Sequence, residues 1–367
     1  MAAKRSLLQE DVGLYNALRD GSAFTSATIN AAIGNASSDG KMIFLPPGTW
    51  TLNADVTVPS TRRLKIPSGT IINTNGFTLN VLDYYEADGT GCFTGTGTVN
   101  GTGKDGFINV QHFGADPDNT SDDTSAILLA IKSIPGTSTP GSQGAGRLLF
   151  PLPRTLTGFY KVSSTLDFSN KFNAGMVAPA LLTRGPTTAD STRRALIKWY
   201  GGTNTDIIVL HNIISFDLIN ISIDGRDAAG VVGLALGPRV TQASVVKLVR
   251  AHHLEISYCD IGIRHGDYAA NGPDIASNSF HDVYLHDNVS AGFAQYSGNG
   301  LVYGENWLLE HNGYAPTTAT HGGVGAALQP GVQVYAEGGS VHLSDYVGVG
   351  DPAPTIADVY ASSAGLV

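Results

Sequence analysis

The sequence predicts an all-β chain built as a parallel β-helix, and three observations carry that prediction. Of 367 residues 45 are glycine and only 14% are charged, with Ser, Thr and Asn abundant, which is the composition of many short strands joined by tight turns. Beyond Ala195, short in-out-in apolar runs recur roughly every 24 to 34 residues, the period of a stacked repeat. No crossover helix separates them, and the two-residue hairpin turns of a sandwich are too few.

The elements follow in order. In "KRSLLQEDVGLYNALR", Lys4 to Arg19, Leu7, Leu8, Leu14 and Leu18 lie near helical spacing and predict one or two helical turns. From Ser26 a short helix with Ile29 and Ile33 inward stops at Gly34, and "KMIFLPPGTWTLNADVTV" continues as a strand, a Pro-Pro-Gly turn and alternating strands. The same grammar returns at "SDDTSAILLAIKSIPG", where Ile127, Ile131 and Ile134 sit at i, i+4 and i+7, and strands follow in "GRLLFPLPRTLTGFYKVSSTLDF". Two copies of one starting module are expected, with the Gly/Thr-rich Gly91 to Gly106 as their junction. The domains read as an N-terminal helical attachment segment at 1–24, a small β-rich module at 25–110 and the parallel β-helix at 111–367.

In the repeats "INISIDG", "HLEISYCD", "DVYLHDN", "NWLLEHN" and "SVHLSDY" the alternation sorts residues into columns. Ile221, Leu254, Val283, Trp307 and Val341 form one inward column, with Ile223, Ile256, Leu285, Leu309 and Leu343 beside it. Asp224, Ser257, His286, Glu310 and Ser344 share an outward column. Ser222, Glu255, Tyr284, Leu308 and His342 share another.

A net charge of −9 argues against nucleic acid as a partner, because phosphate binding needs clustered Lys and Arg. No window reaches the roughly 20 apolar residues of a membrane span, and Met1 to Gly13 lacks a signal-peptide core, so no membrane insertion is expected. Cys92 and Cys259 stand outside any metal-binding spacing and read as buried thiols.

The stretch "HFGADPDNTSDDTSAILLAI", His112 to Ile131, concentrates acid more tightly than any other. Counted as a calcium loop from Asp116 it fails, with Thr120 at position five, Ser121 at six and Ile127 at twelve. Asp122 and Asp123 suit helix N-capping instead. No metal site and no cofactor are expected.

"FGADPDNTSDDTSAILLAI" resembles the opening signature of the pectate-lyase-like right-handed β-helix superfamily. "DVTVPSTRRLKIPSGTIINTNGFTLNV" resembles the β-rich segment that precedes it in phage tail spikes, and "LIKWYGGTNTDIIVLHNIISFDLINISIDGRDAAGVVGL" resembles the coils that follow. The resemblance spans about Phe44 to Leu343 and implies a helix, Asp123 to Ile134, capping the β-helix. It further implies a phage tail spike or tail-fibre protein that recognises a bacterial surface polysaccharide, a homotrimer joined through its N-terminus to other virion tail proteins. A virion location, with synthesis in the host cytoplasm, follows from the same resemblance.

Glycosidic hydrolysis needs two carboxyl groups about 5 to 10 Å apart, a distance that neighbouring strands of one column supply. The candidate catalytic residues are therefore Asp224 with Glu255 and His286 with Glu310. Tyr258, Tyr284, Tyr296 and Tyr303 are candidate glycan-binding residues, since exposed rings stack on sugars. An eliminative lyase would need a cation to acidify the sugar's C5 proton and a base, roles that the resemblance implies for calcium held by aspartates and for an arginine; Arg250 and Arg264 lie near the acidic columns, but no run of three aspartates accompanies them. "NTD" at Asn204 to Asp206 and "HG" at His265 are similar to polygalacturonase fragments, without that family's paired aspartates or its Arg-Ile-Lys. Depolymerase, non-enzymatic tail component and pectinase-like lyase or hydrolase are the three functional readings.

Overall fold

The computed structural model describes residues 14–16, 24–35, 42–118, 120–134, 146–179, 195–237, 245–266, 274–296 and 301–313, together with the short strands 334–336, 340–344, 347–349, 359–361 and 365–366. It is mostly β, and its described strand pairs are parallel. Two compact units are present: Met1–Ala115 with Ser125–Pro135 and Gly146–Leu149, and Asp116–Thr124 with Gly136–Ala145 and Phe150–Val367.

The first unit opens with Leu14–Asn16, which the leucine spacing placed in a helical turn. It is instead a strand paired in parallel with Met42–Phe44. The rest of that predicted helical segment lies outside the described residues. The helix Ser26–Asn35 forms as expected, but Ile29 and Ala32 bury while Ile33 is only half-buried. Its first residue ties it to the sheets, because the Ser26 hydroxyl accepts from Asn53 and Ala54 N–H groups, at 3.1 Å each, and donates to Ala54 O. Phe24 stacks on the buried Trp50 at 4.7 Å. That contact requires Gly48, where φ is +138° and a Cβ would fall 2.2 Å from the Phe24 ring.

Parallel pairing runs through this unit as well, which the reading of a generic β-rich module left unspecified. Met42–Phe44 pairs with Arg63–Ile66, which pairs with Thr78–Ala87, which pairs with Thr98–Gly103. Side chains of successive strands, such as Thr57 with Asn80 and Asn80 with Asn100, bond across 23 and 20 residues. The Gly/Thr stretch expected to be a junction is inside this unit: Phe93–Thr94 and Thr98–Gly103 are strands of its sheets, its β-branched threonines extending and Gly95 and Gly101 turning at positive φ. The helix Thr124–Ser133 buries Ile127 and Ile131 with Ile134 just beyond, as its spacing predicted.

The second unit repeats three strands. One ladder is Asp206–Leu210, Val232–Leu236, Ile261–His265 and Ala291–Gln295, buried except at the half-buried Val209. The other two are halves of long bent strands such as Val245–Ser257, Asn278–His286 and Leu301–Glu310. The bend falls at one register position in four successive repeats, Asn220, His253, Asp282 and Asn306, each at φ between +54° and +61°. An isolated left-handed residue ends one extended face and starts the next, so each bent strand contributes to two faces. Before the bend, Phe216, Val249, Phe280 and Val302 point inward; after it, the expected columns Ile221, Leu254, Val283, Trp307 and Ile223, Ile256, Leu285, Leu309 are all buried and in register.

The last strand departs from the prediction. Ser340–Ser344 pairs with Leu301–Glu305, so Val341 faces Val302 rather than Trp307, and Leu343 faces Gly304. Val347–Val349 takes the place beside Leu308–Glu310. Ser344 and His342 therefore leave the outward columns assigned to them.

Candidate functional site

The acidic stretch that drew attention first is structural. Asp116 accepts from Asp118 N–H, and Asp118 holds the N–H groups of Arg154 and Thr155 at 2.7 and 2.9 Å. Asp122 caps the helix by accepting from Thr124 N–H at 2.9 Å, as its position predicted. Asp123 does different work: almost wholly buried, it accepts from Asp116 N–H and Lys161 N–H, which pins two loops, and burial, the first cause, lifts its pKa to about 6.

The functional candidate lies on the post-bend face of the second unit. Its outward column runs Lys161, Lys198, Asp224, Ser257, His286, Glu310, one residue per strand, and beside it run Ser222, Glu255, Tyr284, Leu308. The sequence columns through Glu310 thus hold, and the side chains converge. Both Glu255 oxygens are engaged, Oε2 by the Ser222 hydroxyl at 2.8 Å and Oε1 by His286 Nε2 at 3.2 Å. His286 turns its Nδ1 to Asp287 at 2.8 Å and stacks on Tyr284 with ring centres 4.2 Å apart. Tyr284 donates its hydroxyl to Glu310 Oε2 at 2.5 Å. The strand carrying Tyr284 and His286 separates those carrying Glu255 and Glu310, so an aromatic pair stands between two carboxylates.

Electrostatics follow from this packing. Burial pulls the His286 imidazole down, but the hydrogen bonds and charges of Glu255 and Asp287 outweigh it, and the net shift is upward. Burial and then Glu310 hold the Tyr284 phenol protonated far above its ordinary value. Tyr258 is 39% exposed and meets His286 edge to face at 5.9 Å.

Other predicted residues separate from this cluster. Asp224 is nearly buried; its carboxylate pairs with Lys198 at 2.8 Å and accepts from Arg226 N–H, which makes it a holder of the turn. Gly225 sits tight in that turn, where a Cβ would come 2.5 Å from Tyr258 O and 2.7 Å from Cys259 Sγ. Tyr303 is 48% exposed but lies on the pre-bend face, across the Asn306 corner, in register with Ser279 and two residues before Glu305, which is in register with His281. Tyr296 is partly buried against Val232, Ala235 and Ala294. The two arginines weighed for a lyase are both paired, Arg250 with Asp217 at 2.8 Å and the fully buried Arg264 with Asp206 at 3.0 Å. His265 is also fully buried, its pKa lowered to about 3 by burial, so the polygalacturonase-like fragments carry core residues.

Sequence reasoning missed the basic end of the column. Tyr200, 37% exposed, has Arg226 at 4.0 Å and Lys161 at 4.7 Å from its ring centre and stacks on Phe159. The alternation in "LIKWY" is a signal that could have put Lys198 outward, but Lys161 comes from a repeat 37 residues earlier, Lys161 pairing with Lys198. Cys92 and Cys259 are both buried, as expected.

No protein-family model matches this chain, and no curated protein is similar to it. Among solved structures it is similar to ORF18 of Geobacillus virus E2, at 17% identity and a TM-score of 0.43, over 66% of this chain and 48% of that one. It is also similar to a polygalacturonase from Erwinia carotovora ssp. carotovora, at 14% identity and a TM-score of 0.27, over 95% of this chain and 96% of that one. The chain spans about half the length of the viral protein.

Proposed function

We propose that the second unit is a right-handed parallel β-helix of the pectate-lyase-like type and that the chain is a phage tail spike or tail-fibre protein. It binds a bacterial surface polysaccharide along the Lys161 to Glu310 column and cleaves it by glycosidic hydrolysis. The observation that carries this reading is the Glu255, His286, Tyr284, Glu310 cluster, two carboxylates on either side of an aromatic pair in one outward strip. Glu310, with one oxygen held by Tyr284, acts as the base that takes a proton from water as its oxygen attacks the anomeric carbon. His286, kept protonated to higher pH by Glu255 and Asp287, releases its Nε2–H from Glu255 and gives that proton to the departing sugar oxygen, so one water is added across the broken C–O bond. Tyr258 supplies an exposed ring for sugars, and Tyr200, with Arg226 and Lys161 over its ring, supplies cations at the basic end of the strip. Assembly as a homotrimer, with residues 1–24 joined to other virion proteins, belongs to the same reading.

The test is release of reducing ends from capsule or O-antigen polysaccharide. Glu310→Gln and His286→Gln should each lower kcat by about 10² to 10⁴ while the chain stays folded. Unchanged turnover in both variants would sink the site. A binding-only tail component is the second reading, favoured by the full engagement of both Glu255 oxygens. It predicts retention of polysaccharide by wild type with no reducing ends and no fall in viscosity.

A further inference from the structure

The first unit holds a cavity of about 440 Å³, within the range of about 300 to 1,000 Å³ typical of small-ligand sites. Its lining includes Tyr85, Asp88, Lys104, Asp105, Asn109 and His112. Tyr85 is fully buried, yet neither its hydroxyl nor His112 Nδ1 has a hydrogen-bond partner among the described residues. Orphaned buried polar atoms are costly unless something completes them. The two rings meet edge to face at 5.8 Å, and both residues line the cavity.

The remaining lining decides what could complete them. Asp105 gives one oxygen to Phe107 N–H at 3.1 Å, and Asn109 gives its Oδ1 to Gln111 N–H at 2.9 Å, which leaves a carboxylate oxygen and an amide NH2 for a ligand. Lys104 pairs with Glu86, and Lys65 with Glu86 and Asp88. Three carboxylates, counting Asp105, against these two lysines disfavour an anion. No group of three ligating His, Cys, Asp or Glu side chains converges among the described residues, which disfavours a metal ion. Burial lowers the His112 pKa despite Asp105 and Asp88, so its ring is a neutral donor and acceptor near neutral pH. A ligand with closely spaced groups that both donate and accept, and with no net charge, fits this lining.

We propose that this cavity binds a neutral saccharide residue. Asp105 accepts from sugar hydroxyls, the Asn109 amide donates to them, and the Tyr85 hydroxyl and His112 Nδ1 complete the set. Every lining residue belongs to the first unit, so the site stands independently of the one read in the second unit.

The experiment is calorimetric titration of the full chain with glucose, galactose, mannose and N-acetylglucosamine, each to about 50 mM, well above millimolar dissociation constants. It is run in wild type and in a Glu255→Gln/Glu310→Gln background that disables the second-unit site. At least one sugar should bind equally in both. Tyr85→Phe and Asp105→Asn should each weaken that binding tenfold or more, while Tyr85→Phe leaves the sugar-free unfolding midpoint unchanged or raised, because no bond within the protein is lost. Binding of none of the four sugars overturns the proposal. So does sugar binding that survives Tyr85→Phe and Asp105→Asn, or a fall in the Tyr85→Phe midpoint without effect on the sugar, which would make the hydroxyl structural.

Discussion

Asn288 closes the turn that follows His286 and Asp287, and replacing it with Ala tests whether that turn holds the site. The residue is fully buried. Its Oδ1 accepts from Cys259 N–H at 3.1 Å, and its Nδ2 donates to Ile256 O at 3.2 Å and to Asn312 Oδ1 at 2.8 Å, so one amide ties three successive repeats. Asn312 in turn donates to Leu285 O at 2.8 Å. Truncation at Asn288 removes three bonds and strands at least the Cys259 N–H in a dry interior, at about 1 to 3 kcal/mol for each buried group left unsatisfied. We expect a loss of about 4 kcal/mol, which for a unit of this size lowers Tm by on the order of 10 °C. The assay is thermal and urea unfolding followed by tryptophan fluorescence, which reports on the buried Trp307 of the same stack. Asn312→Ala should cost less alone, and the double variant should cost less than the sum, because the two side chains share a bond. A loss below about 1 kcal/mol for Asn288→Ala, or strict additivity, would refute the ladder as a source of stability.

Other outcomes follow from the same geometry. Because the folded-state pKa of His286 lies above its unfolded value of about 6.5, its contribution to stability is complete below that pH and is lost as pH rises through the folded pKa. His286→Gln should flatten that decline, as read from urea midpoints between about pH 5 and 9. Tyr200→Ala should weaken polysaccharide binding by about tenfold without affecting the fold, measured on immobilised glycan, since its exposed ring and flanking cations lie at one end of the strip. Cys92 and Cys259 should resist a thiol reagent in the native chain and both react after unfolding, because burial raises both thiols. Ile127→Ala, emptying a fully buried helix position, should cost about 2 to 5 kcal/mol in chemical unfolding.

Much of the site was legible because strand alternation has a period of two. Once Asp224, His286 and Glu310 were placed outward, their alignment followed from repeat lengths set by equivalent apolar pairs, and the structure pairs Ser257 with His286 and His286 with Glu310. Alternation does not say which face of a repeat a strand occupies. "SVHLSDY" carries the same in-out pattern as "NWLLEHN", yet it pairs with the pre-bend half, Leu301–Glu305. The predicted partners Asp224 with Glu255 and His286 with Glu310 also rearranged. Side-chain reach and local charge, Lys198 for Asp224 and Tyr284 for Glu310, decided the contacts once the columns existed.

By itself the sequence determined a mostly β chain, the inward and outward residues of four consecutive repeats, and the helix at Thr124–Ser133, because each rests on local periodicity and capping. Only the tertiary structure decided that Asp118 and Asp123 fasten loops and a strand, while Glu255, His286, Tyr284 and Glu310 meet. The physical reason is distance along the chain. The aspartates work on backbone amides made available by their own loop and by a strand nearly 40 residues away, whereas the cluster is assembled by strands spaced 24 to 33 residues apart that come together only when parallel pairing sets their register.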